Sequence, residues 1–176
     1  MTTVLRYDIG EIEPYINWIY FYHAWGLSGK PESEKARLRA DAETVLAEFK
    51  SRYHTHAVFG LFSANSDGDD IIIDGVRVPF LRQQTRKTDG SPNLCMADFI
   101  RPLSLGKADR IGVFATTVDA GMEKDYCDDD YLKIMSKTLA DRLAEATAEK
   151  MHEEVRRHYW GYAADEKLSI PEMLNA

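Results

Sequence analysis

From residue 130 onward the apolar positions fall on one stripe. Leu132, Met135, Leu139, Leu143, Ala146, Met151, Val155 and Tyr159 are separated by steps of three, four and five. That spacing predicts an amphipathic helix over residues 130–162, with a wobble after Ala146. Asp128, Asp129 and Asp130 stand at its start, where a carboxylate can cap free N–H groups and meet the positive end of the helix dipole. Arg156, Arg157 and His158 stand at the opposite end, and Gly161 is a stop signal. A helix of about 30 residues runs roughly 45 Å, so other elements must pack along it.

The rest of the chain is read in the same way. Residues 3–7 suit a short strand. Residues 11–27 are apolar on most faces (Ile12, Tyr15, Ile16, Trp18, Ile19, Phe21, Tyr22, Trp25), the pattern of a buried helix, with Pro14 in its first turn. Residues 32–53 place Leu38, Ala42, Val45, Leu46 and Phe49 on one face, the pattern of a surface helix. Residues 57–62 read as a strand, 65–68 as a turn, and 70–73 with 76–80 as a hairpin about Asp74-Gly75. Residues 83–93 are polar and read as a loop, 94–99 as a strand or turn, and 110–118 as a further strand. Ser169 and Pro171 open a short helical piece that runs to Leu174. Helices set apart from hairpin-linked strands argue an α+β fold with a mainly antiparallel sheet. Nothing marks a boundary, so one domain over residues 1–176 is expected.

Composition excludes more than it selects. The chain is 44% hydrophobic and 29% charged, with a net charge of −7 and no large basic block, which disfavours nucleic acid and anionic lipid as partners. No apolar run is long enough to cross a membrane, and the N-terminus has no basic-then-apolar leader pattern. Cys95 and Cys127 lack a metal or redox spacing and read as reduced thiols, so a cytoplasmic protein is expected.

No phosphate-loop, dinucleotide or nucleophile-elbow motif occurs, and no catalytic residue is assigned. His54 and His56 can share one strand face, but without a third ligand nearby they read as a solvated strand entry rather than a metal site. Asp67-Gly68-Asp69-Asp70 lacks calcium-loop spacing and reads as a turn.

Five segments in one order carry a family resemblance: YINWIYFYHAWGLSGK (15–30), VFGLFSANSDGDDI (58–71), LRQQTRK (81–87), LCMADFIRPLSLGKADRIGVFATT (94–117) and the long-helix string DDDYLKIMSKTLADRLAEATAEKMHEEVRRHYWGYAADEKLS. Together they resemble the activation (reactivation) domain of cobalamin-dependent methionine synthase. The resemblance implies a curved antiparallel sheet flanked by helices, with one long C-terminal helix. It implies S-adenosylmethionine bound against the aromatic helix and the long helix. The family's Asp before Trp falls on Asn17, and its Glu in ADRLAEA falls on Glu145. A third contact, an R-x-x-x-G-Y segment in the context RPAPGYPAC, falls downstream of Asn175-Ala176. A short form of the family lacking that segment is therefore expected, the alternatives being an excised fragment or a segment supplied by another chain; the Met1 start favours a whole protein.

The literal Arg157-His158-Tyr159-Trp160-Gly161-Tyr162 aligns instead with the family's YWGYA segment at the helix end, where the dipole and the helix stop explain Arg157 and Gly161. Taken alone, Glu145 is an ordinary helix former, one turn from Glu149. Asn17 is a polar side chain among aromatics and needs a partner if buried. Asn in place of Asp removes a charge and weakens binding of a cation by roughly 1–3 kcal/mol in a desolvated site. Arg82-Gln83-Gln84 is a further polar cluster, either facing the same concave surface or serving a plain loop.

The resemblance implies two functions. In one, the chain is part of a methyltransferase rather than an autonomous enzyme. It presents S-adenosylmethionine to cob(II)alamin on a partner domain or protein, in trans or as a split subunit, with a flavodoxin-type reductant. In the other, it is a non-catalytic binding or assembly module that keeps the surface facing the cobalamin domain and has lost S-adenosylmethionine.

Overall fold

The computed structural model describes residues 2–174. Five strands and five α-helices follow one another as β1 (Thr2–Asp8), α1 (Ile9–Ile12), α2 (Trp18–Ala24), α3 (Glu32–Lys50), β2 (His54–Asp67), β3 (Asp70–Ile73), β4 (Val76–Pro79), β5 (Asp109–Val118), α4 (Asp130–Glu154) and α5 (Ile170–Leu174). The strands form one open antiparallel sheet in the order β1-β2-β3-β4, with β5 also paired to β2. The chain divides into two compact units. One holds Phe59–Val113 with Thr2; the other holds Thr3–Val58 and residues 114–174.

In the first unit, two tight turns set the register. Ile73 pairs with Val76 across Asp74-Gly75, both at positive φ (45° and 84°), as a two-residue hairpin with this twist requires. Asp67 pairs with Asp70 across Gly68-Asp69. β2 therefore continues to Asp67, past the expected turn at 65–68, because Ser63, Asn65 and Ser66 find partners there. The Ser63 N–H donates to Asp74, Asn65 bonds the Arg101 and Lys107 carbonyls, and Ser66 bonds that of Ile100. The core of this unit is Ala64, Ile71, Cys95 and Ala97, with Ile73, Phe80, Ile100 and Ile111 against it. Residues 94–99 form a single 3₁₀ turn at Met96–Phe99 rather than a strand.

Arg82 fastens this unit. Its guanidinium reaches Asp69 at 2.6 Å and Asp98 at 2.7 Å, and also bonds the Asn93 carbonyl. Arg82, with the Cys95 N–H, holds the Asp98 carboxyl down at about 2. A carboxyl lowered on folding contributes stability that is present above its unfolded pKa and lost as pH falls through the folded value. The Asp98→Asn variant is expected to lose less stability than the natural chain between about pH 4 and pH 2. Urea midpoints measured across that range test this; parallel curves would exclude the Arg82–Asp98 pair as a source of acid sensitivity.

In the second unit, α4 is the central element. Asp129 caps it by accepting from the Leu132 N–H at 2.9 Å. Its fully buried stripe is Met135, Ser136, Leu139, Ala140, Leu143, Ala146, Thr147 and Met151, against which α1, α2 and α3 pack. The stripe closes over the five-residue step because Thr147 fills it, bonding the Leu143 carbonyl at 2.7 Å. Helical chain continues as one π turn, Val155–Tyr159, before Gly161 at φ 74° ends it.

The aromatic stretch departs from expectation. It is not one helix buried all round: α1, a 3₁₀ turn at Glu13–Tyr15 and α2 are separated at extended Ile16 and Asn17. The break turns the apolar residues in different directions. Ile12, Tyr15, Ile16 and Phe21 are buried, whereas Ile19 is 73% exposed and Tyr20 56% exposed.

Candidate functional site

Asn17 sits at the break, and this explains a polar residue among aromatics. It is the N-cap of α2, its side-chain oxygen accepting from the Ile19 N–H at 3.1 Å. Around it opens a cleft of about 450 Å³ lined by Pro14, Ile16, Asn17, Trp18, Ile19, Ile170, Pro171 and Leu174. The tail after the long helix thus returns to the aromatic stretch through α5. Two contacts start α5: the Ser169 N–H and hydroxyl both bond Glu172, at 2.8 and 2.6 Å. Arg156 fixes the tail to the π turn through Glu166 at 2.7 Å. Trp18, one wall of the cleft, carries the Arg39 guanidinium 3.4 Å from its ring centroid, and Arg39 is held by Glu43 at 2.7 Å.

Glu145 lies on an accessible face of α4, paired with Arg142 one turn earlier, and does not line this cleft. Arg157 is bound to Glu153 at 2.6 Å. Arg82 is committed to Asp69 and Asp98, with Gln84 bonding the Arg82 carbonyl, so this segment serves its own loop.

Two polar clusters form through partners distant in sequence; of their members only His54 and His56 stand out in the sequence. Glu153 accepts from the Tyr15 hydroxyl in a short hydrogen bond and from Arg157, with Lys150 at 3.8 Å and over the Tyr15 ring. Burial pushes the Glu153 carboxyl up, but the Tyr15 and Arg157 hydrogen bonds and the Lys150 charge outweigh it, so the group lies below the ordinary range. Second, Asp119 accepts from the His54 backbone N–H and contacts the His56 ring, both at 2.8 Å, while His54 reaches Asp8 at 3.1 Å. The histidines are thus tied to carboxylates rather than left in solvent. Among the described residues no group of three or more His, Cys, Asp or Glu side chains is arranged to hold a metal ion. Both cysteines are free thiols, Cys95 buried and Cys127 exposed. No helix among the described residues is long and apolar enough to cross a membrane.

An open antiparallel sheet, a capped break in an aromatic stretch and a long helix whose tail returns to that break define an α+β module with a cleft at the break. The sequence profile of the family described as vitamin B12 dependent methionine synthase, activation domain, matches residues 8–176. A crystal structure of the MetH reactivation domain bound to AdoHcy is similar over 99% of this chain, at 41% identity and a TM-score of 0.87; the match covers 61% of that chain. This chain belongs to the vitamin B12-dependent methionine synthase activation domain family.

Proposed function

We propose that the chain is the activation module of a vitamin B12-dependent methionine synthase, and that its Asn17 cleft takes an S-adenosyl nucleoside. The observation that carries this is the cleft itself: apolar walls and one amide beside a capped helix, in a chain 41% identical to a domain that binds AdoHcy. The residues present fit the flat, neutral part of such a ligand. Ile16, Trp18, Ile19 and Pro171 offer apolar surface, and Asn17 offers one hydrogen bond.

In this reading S-adenosylmethionine is the methyl donor, and the corrinoid carried by a partner domain or protein supplies the cobalt nucleophile. The chain itself does little covalent chemistry: Asn17 and the cleft walls bind and orient, while Glu145, paired with Arg142 outside this cleft, contributes no carboxylate to it. The partner is reached in trans or as a split subunit, a flavodoxin-type protein supplies the electron, and the setting is the cytoplasm.

Calorimetric titration with S-adenosylmethionine and S-adenosylhomocysteine tests the reading. Saturable binding of either nucleoside, in the micromolar to sub-millimolar range, is expected. Absence of binding by both supports the second function, a binding or assembly module without a nucleoside ligand. The absence of any ionisable side chain from the cleft lining is what keeps that alternative in view.

A further inference from the structure

We propose that the hollow where the start of α4 meets α3 is a receptor for a free α-amino acid with an unbranched apolar side chain. Its carboxylate sits on Arg37, its ammonium on Glu34 and Asp41, and its side chain on Leu27 and Leu38. The hollow shares no lining residue with the Asn17 cleft, and the proposal does not rest on the S-adenosyl reading.

Three observations carry it. First, three elements build the hollow and leave room in it. It measures about 450 Å³ and is lined by Leu27 after α2, by Glu34, Arg37, Leu38 and Asp41 on α3, and by Tyr131 in the first turn of α4. Positions 34, 37, 38 and 41 stand at i, i+3, i+4 and i+7, on one face of the helix. Tyr131 is held from two sides: its hydroxyl donates to Asp41 at 2.7 Å, and the Trp25 ring packs edge-on against it at 5.4 Å.

Second, the charges on that face are kept apart. An arginine on an exposed helix pairs readily with a carboxylate three or four residues away. α3 makes such pairs twice, Glu32 with Lys35 and Arg39 with Glu43, both at 2.7 Å. Arg37 has a carboxylate at each spacing, Glu34 and Asp41, and pairs with neither. Asp41 is taken by Tyr131, and among the described residues Glu34 and Arg37 form no ion pair and no side-chain hydrogen bond. The Arg37 charge is nevertheless felt at the hollow: burial and the Asp41 bond push the Tyr131 phenol up to about 12, and Arg37 pulls it back. A lone anion here meets two carboxylates, and a lone cation meets a guanidinium. A zwitterion satisfies both signs, its carboxylate forked on Arg37 and its ammonium donating to the carboxylates.

Third, the floor is apolar. Leu38 is 8% exposed and Leu27 is half-buried, so the floor offers a straight aliphatic or thioether side chain surface to cover and no polar partner.

The consequence is regulatory. Methionine, the product that the family's activity names, has a side chain of this kind, so occupancy of the hollow reports product concentration to the α3–α4 pair.

The experiment is ¹H–¹⁵N NMR titration of the labelled chain with L-methionine and L-norleucine. It is repeated with N-acetyl-L-methionine, which lacks the ammonium, and with L-methioninamide, which lacks the carboxylate. Arg37→Gln and Glu34→Gln follow, both at exposed helix positions, with thermal melts to check that they fold. Saturable shifts at residues 27, 34–41 and 131 are expected with both free amino acids, at an affinity at least about tenfold above that of either blocked form. Arg37→Gln is expected to weaken binding about tenfold, and Glu34→Gln about threefold because Asp41 remains. No saturable shift at these residues overturns the proposal, as do shifts confined to the Asn17 cleft. Blocked forms that bind as well as the free amino acids overturn it too, as does an Arg37→Gln chain that binds unchanged.

Discussion

Leu143→Ala is expected to cost about 2–5 kcal/mol and to lower the thermal midpoint by roughly 4–20 °C. Leu143 is fully buried at the middle of the α4 stripe, between Leu139 and Ala146, on the helix that α1, α2 and α3 pack against. Removing three side-chain carbons there loses their transfer free energy and leaves a cavity that three packed helices cannot easily close. Ile134 is the control: it lies on the same helix but is 54% exposed, and Ile134→Ala should stay within about 1 kcal/mol. Paired urea and thermal unfolding of the two variants reads the difference. Equal losses would mean that the buried stripe does not anchor this unit.

Glu153→Ala is expected to cost about 2–3 kcal/mol, an unusual amount for a charged helix residue. The Glu153 side chain is only 13% exposed, and truncation strands the Tyr15 hydroxyl and the Arg157 guanidinium together. Arg157 Nε is already buried without a partner among the described residues, so its remaining hydrogen bonds carry the compensation for its charge. The pH dependence separates this from lost packing. The Glu153 carboxyl is lowered in the fold, so its contribution is present above its unfolded pKa of about 4.3 and lost as pH falls through the lower folded value. Glu153→Gln should therefore approach the natural chain in stability as the pH is lowered below about 4, and fall behind it at neutral pH. A constant offset at all pH values would rule out the carboxylate as the source.

The site was legible in part, and the reason differs by residue. Asn17 stood out because an amide among aromatics demands a partner, yet its role as a cap depended on the break at Ile16, which periodicity could not show. An all-apolar stretch has no polar face whose phase would reveal a break. Glu145 reads the same from the sequence and in the fold: an accessible helix carboxylate paired one turn back to Arg142. The polar network at the far end of α4 left no trace, because Tyr15 and Glu153 are 138 positions apart and each is ordinary in its local setting. Arg82 was noticed as a polar cluster, but its partners Asp69 and Asp98 read as a turn and a short segment of their own.

What the sequence determined by itself is whatever depends on near neighbours. The α4 stripe and its Asp129 cap, the Asp74-Gly75 hairpin, the Ser169 start of the tail helix and the Gly161 stop all follow from i, i+3 or i, i+4 spacing and from local backbone preference. The family, too, is legible, because long strings recur in one order. Only the tertiary structure decided the rest. It buried Thr147 in the stripe, extended β2 through polar residues by giving them distant partners, and brought Ile170, Pro171 and Leu174 back to Asn17. Each of these joins groups far apart in the chain, and burial, hydrogen-bond satisfaction and charge compensation take their value from such neighbours, which local patterns do not encode.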